Sequence, residues 1–212
     1  MMKKYLSIFC LIIAMMAGYA HAGTVYTDRA LFEAAVSTYT IEDFEAYPVS
    51  GNPGSGAVSQ INFNSFSVTS VPDAVKVLDT EYFYSRNTTL GGAKYLYLDT
   101  DIGFTGSVTT LSFNSGISFI GFDYTYNQSW SSQLTAVVEG NSFILSDVDY
   151  SGYGFWGYIG KDAFGTVTID SGEISAYGID QVTFNAVPIP APILLLGFGL
   201  AGLAGLRKKL NQ

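Results

Sequence analysis

Between Gly23 and Ala186 a single stretch has the spacing of a helix, and the rest is short alternating runs separated by turn residues. That contrast confines the chain to an all-β architecture. The helical stretch is TDRALFEAAVS. Thr27 reads as its N-cap, Asp28 falls in the first turn, and Leu31, Phe32, Ala35 and Val36 share a face. The strand runs are YTIEDFE, SFSVTSV (Phe66, Val68 and Val71 inward), AVKVL, KYLYLD, FWGYIG, GTVTID and GIDQVTFNA. Two hairpins are predicted. SVTTLSF pairs with ISFIGFDYTY across Asn114-Ser115-Gly116, and LTAVVEGNSFIL folds across Glu139-Gly140-Asn141. Short strands at this spacing predict a β-sandwich or jelly roll, and a body of this length buries a sufficient core without disulfides.

The two ends differ from this body. MMKKYLSIFCLIIAMMAGYAHA has a basic start at Lys3 and Lys4, a short apolar core and an Ala20-His21-Ala22 close. Residues 1–22 therefore read as a secretory signal peptide; the core is short for a membrane helix. Cleavage would remove Cys10 and His21, the only Cys and His of the chain. Disulfides, Cys/His zinc sites, Ser-His-Asp triads and Cys-His pairs are then excluded. The body at 23–186 has 18 acidic and five basic residues, a net charge of −13. Such a surface repels nucleic acid and anionic lipid, keeps a protein soluble and suits divalent cations.

The final segment, 187–212, has three parts. Pro188, Pro190 and Pro192 forbid regular helix or central strand. Ile193 to Leu206 carries no charge and no polar side chain, and as a helix it would cover about 21 Å. Arg207, Lys208 and Lys209 follow and predict a cytoplasmic end, with the body outside. Gly197, Ala201 and Gly205 form a small-residue row on that helix. The order Val187-Pro188-Ile189-Pro190-Ala191, apolar helix and basic cluster resembles the PEP-CTERM sorting signals, in their Val-Pro-Leu-Pro-Ala variant. The resemblance implies an exosortase as partner, a short transmembrane sorting helix, and export by a Gram-negative bacterium that makes exopolysaccharide or biofilm. YTDRALFEAAVSTYTIEDFE and FWGYIGKDAFGTVTI with YGIDQVTF also resemble the opening and close of domains carried on such proteins.

Three groups in the body bear chemistry. Asp43, Glu45 and Asp180 lie on a first and a last strand, which a jelly roll sets side by side. Galactose-binding-like sandwiches and MAM domains have a similar arrangement, and the resemblance implies a structural calcium ion there. Calcium takes six to eight oxygen ligands; exposed carboxylates satisfied by backbone N–H groups are the plainer alternative. Asp99 with Asp101 and Asp147 with Asp149 are weaker cation candidates. The second group, Trp130, Tyr153 and Trp156, sits among further aromatics and offers rings that can stack on sugars. Third, glycoside hydrolysis needs two carboxylates about 5–10 Å apart, one held protonated, and nothing in the sequence marks such an acid. The expectation is a non-catalytic, exported surface protein with a jelly-roll or galactose-binding-like β-sandwich that binds polysaccharide. The alternatives are a matrix or adhesion protein that binds other proteins and, behind it, a glycoside-acting hydrolase.

Overall fold

The computed structural model describes residues 23–50, 56–72, 75–79, 92–99, 106–126, 133–146, 152–172, 174 and 176–185. The leader, the motif Val187 to Ala191, the cluster Arg207 to Lys209, Trp130, Asp101, Asp147 and Asp149 lie outside them. Among the described residues no helix is long and apolar enough to cross a membrane.

The described chain is mostly β-sheet with one short helix. In order the elements are β1 (Thr24–Tyr26), α1 (Arg29–Ala35), β2 (Thr40–Glu42), β3 (Gln60–Asn62), β4 (Phe66–Val71) and β5 (Val75–Leu78). They continue with β6 (Tyr95–Asp99), β7 (Val108–Tyr126), β8 (Thr135–Val138), β9 (Asn141–Ile144), β10 (Gly154–Asp170) and β11 (Ala176–Phe184). All strand pairs are antiparallel, and the main order is β5-β6-β11-β7-β10-β8-β9. β1 adds to β10, β2 to β11, and β3 to β4, which pairs with β7.

Two strands organise the rest. β7 is 19 residues long and β10 is 17. The first half of β7 pairs with β4 and with the second half of β10; its second half pairs with β11 and with the first half of β10. The register slips between Ile159, Phe164 and Thr166 of β10, the kind of irregularity that bends a ladder. The sheet thus folds over, and one core collects Phe66, Val68 and Val167 from one half with Phe122, Leu96 and Ile179 from the other. The Asn114-Ser115-Gly116 hairpin is therefore a misreading: those residues lie inside β7. Asn114 donates through its backbone N–H to Ser65 O and through Nδ2 to Asn64 O, so its polar groups serve the neighbouring loop. FWGYIG and GTVTID likewise belong to one strand. The Glu139-Gly140 hairpin forms as expected between β8 and β9, and both turn residues have positive φ, 51° and 75°. In β4 the inward set is Phe66, Val68 and Ser70, and strict alternation leaves Val71 in solvent.

The helix sits on the opposite side of β7 and β10 from that core. Its N-cap is Asp28, one residue later than the sequence suggests, because the Asp28 carboxylate accepts from the Leu31 N–H at 2.9 Å. Leu31 points to solvent, and Phe32 is the buried residue of the helix. Phe32 sits over Gly121 and Gly157, which face each other in register. A Cβ on either glycine would lie 2.8 Å or 2.7 Å from the Phe32 ring. Removing two side chains from the sheet makes the floor on which the helix docks. Phe119 and Tyr26 meet the same ring edge-on.

Candidate functional site

At the C-terminal end of α1 lies a cavity of about 500 Å³. The chain leaves Ala35, runs through Val36 to Tyr39 and enters β2, where Thr40 pairs with Phe184 of β11. Phe119 of β7 and Ile159 of β10, paired with each other, supply the apolar wall. Ser37, Thr38, Thr40, Ser118 and Asn185 supply hydroxyls and an amide. Tyr39 stands at this cavity 39% exposed. Asn185 Oδ1 accepts from the Ser118 N–H at 3.0 Å and from Ser118 Oγ at 3.1 Å. No segment of the sequence forecast this site. Four stretches of chain far apart in sequence build it, and Ser, Thr and Asn carry no periodic signal.

The aromatic candidates separate. Tyr153 is 66% exposed just before β10. It is six residues from Ile159, about 20 Å along an extended strand, so it belongs to a different surface from the cavity. Trp156 is a correction. It is 1% exposed, lies parallel to Tyr158 with centroids 6.2 Å apart, and packs on Phe122 and Phe143. It is core, not a sugar platform. The alternation of β10 puts Phe155 on the helix side and Trp156 with Tyr158 on the core side.

The carboxylates also find protein partners. Glu42 and Asp43 form a backbone corner: their side chains accept from the N–H groups of Phe44 and Glu45. Phe44 there has φ of 61° and is buried against Phe63. Burial raises the Glu42 carboxyl above its usual value, against the lowering effect of the Phe44 N–H. Glu45 Oε1 accepts from the backbone N–H groups of Ala93 and Lys94, both at 2.6 Å. The Lys94 ammonium donates to the carbonyls of Glu45 and Tyr47 at 2.8 Å and 2.6 Å. Asp180 is buried and accepts from the Gln181 N–H at 2.7 Å. The predicted neighbourhood of first and last strands does form, since Glu42 pairs with Val182. Yet among the described residues no three His, Cys, Asp or Glu side chains converge to hold a metal, so Asp43, Glu45 and Asp180 do not form a ready cage.

Asp180 faces Asp123 directly across the β11–β7 ladder. Arg29 bridges to Asp123 at 2.9 Å, donates to Gln181 O and Thr183 Oγ1, and lies 4.7 Å from the centre of the Phe155 ring. This cluster ties α1 to two strands. Asp123 and Asp180 are both closed off from solvent, unlike a hydrolytic pair set across a cleft.

No protein-family model and no curated protein matches the chain. Among solved structures, it is similar to TmCBM61 in complex with β-1,4-galactotriose, at 13% identity and a TM-score of 0.33, over 59% of this chain and 90% of that one. It is similar to the K2 cleaved adhesin domain of Lys-gingipain at 11% identity and 0.34, over 77% and 99%. It is also similar to the CBM22-1–GH10 modules of Clostridium thermocellum xylanase 10B, complexed with xylohexaose, at 11% and 0.37, over 62% and 28%. At such scores these likenesses define neither a family nor a ligand for this chain.

Proposed function

We propose that the chain is an exported cell-surface protein whose jelly-roll, galactose-binding-like β-sandwich binds carbohydrate and catalyses no reaction. The cavity beside Tyr39 carries this reading. It combines an accessible ring, four apolar side chains and a set of neutral hydroxyl and amide groups, the mixture that suits the apolar faces and polar edges of a sugar. Leader and tail supply the address: export, a stop in the inner membrane at 193–206, and hand-over to an exosortase-type enzyme in a Gram-negative cell.

Two experiments test this. The full chain, held in mild detergent, is applied to an array of bacterial and plant glycans. Selective retention on a subset supports the reading. Retention on none of them overturns it and favours the matrix protein that binds other proteins. In the native host, removal of 187–212 should shift the protein from the envelope to the medium; unchanged fractionation would end the sorting proposal.

A further inference from the structure

We infer that the cavity takes an uncharged sugar unit and that Asn185 is the residue that orients it. The inference rests on the carbohydrate-binding reading and narrows it to a ligand class and a contact.

The first argument is charge. Among the described residues around the cavity, Tyr39 is the only ionisable side chain, and no Lys, Arg, Asp or Glu lines the walls. A uronate, sulfate or phosphate would lose its hydration there without meeting a cation, which is unfavourable. The body's charge of −13 adds repulsion at longer range. A neutral pyranose meets neither penalty. The size agrees: about 500 Å³ falls at the smaller end of the ~300–1,000 Å³ typical of small-molecule sites. One or two rings fit better than a long chain segment.

The second argument is the direction of Asn185. The side-chain atom that faces the Ser118 N–H must be an acceptor, because a backbone N–H can only donate. The carbonyl oxygen of the amide is therefore fixed on Ser118, with the Ser118 hydroxyl donating to the same atom. The amino group is left as a held pair of donors, with no partner among the described residues. The backbone supports it, since Asn185 directly follows β11, which is hydrogen-bonded on both sides. A donor fixed in this way selects a sugar hydroxyl or ring oxygen as its acceptor. The Tyr39 ring, which packs on no other ring among the described residues, offers a face for the sugar's C–H surface.

Asn185→Asp isolates the point. The aspartate keeps an oxygen toward Ser118, so the fold is retained, but it removes both donors and adds a charge. The full chain and the variant are titrated with the neutral oligosaccharides retained on the array and with uronate-containing ones of equal length, and both proteins are melted. The expected result is binding of neutral sugars, at least tenfold weaker in Asn185→Asp, with matching melting curves. If the variant melts early, Thr38→Val takes its place, because the Thr38 hydroxyl is exposed and makes no hydrogen bond within the described chain; severalfold weaker binding is expected. Preference for the uronate series overturns the inference and leaves the carbohydrate-binding reading standing. So does neutral binding that both variants leave unchanged, which would place the sugar elsewhere. Binding of no glycan by the parent chain removes that reading as well.

Discussion

Two aromatic regions of this protein use the same residue types to opposite ends. Around Trp156 the rings of Phe122, Phe143 and Tyr158 close on one another inside the core. The Tyr158 hydroxyl donates to Glu139 at 2.6 Å, while Trp156 Nε1 has no partner among the described residues. Beside α1, Tyr39 stands open with a cavity next to it and neutral polar groups around it. An abundance of rings is thus a property of the core. What distinguishes a ligand surface is polar atoms held in place, left unused and open to solvent.

The largest test of that contrast is Trp156→Ala. A core ring of this size should cost about 3–5 kcal/mol when truncated, read as a large fall in the denaturant midpoint. A loss below about 1 kcal/mol would mean that Trp156 is not core. Next is Gly157→Ala. The new methyl would meet the Phe32 ring at 2.7 Å, and overpacking of this kind costs about 1–3 kcal/mol. Gly157→Ala paired with Phe32→Ala should recover part of it, which a double-mutant cycle measures.

Tyr158→Phe comes third, at about 1–2 kcal/mol for a bond to a charged acceptor. It also has a pH signature. Burial first, and then the Glu139 carboxylate, push the Tyr158 hydroxyl from 10.0 up to about 12. The unfolded chain therefore loses this proton first, and stability falls as pH rises from about 10 to about 12. The phenylalanine variant should show a shallower decline in melting temperature over that window. The smallest effect on stability belongs to Tyr39→Ala, within about 0.5 kcal/mol as for other surface changes, yet it should weaken glycan binding. If Tyr39→Ala unfolds the protein, or Trp156→Ala abolishes binding while leaving stability intact, the two regions have been assigned the wrong way round.

The sequence made the strands legible wherever one face was wet. β4 alternates, and the Glu139-Gly140 turn needs left-handed backbone that glycine readily adopts. It also held in β5 and β6, where Val75 and Val77 share a face and Tyr95 and Tyr97 oppose Leu96 and Leu98 as the alternation reads. It failed in β10, where Phe155 and Trp156 are both buried, on opposite faces. Period alone then cannot say which ring looks inward. It failed at Asn114-Ser115-Gly116 because a strand that bends between two layers uses the same small polar residues as a strand that turns back. The carboxylates of Asp43 and Glu45 were conspicuous in sequence, but their partners, the N–H groups of a corner and of Ala93 and Lys94, are main-chain atoms that no pattern of side chains announces.

The place of β11 has a mechanical consequence. It is the last described strand, yet it lies inside the sheet, with β7 along one side and β6 and β2 along the other. A pull on the chain beyond Asn185 enters the fold along this strand and loads the ladders on both flanks in shear. β1, bonded among the described strands to β10 alone, would instead peel one bond at a time. Force applied at the C-terminal end of the described chain therefore meets ladders on two flanks, where force at its N-terminal end meets one.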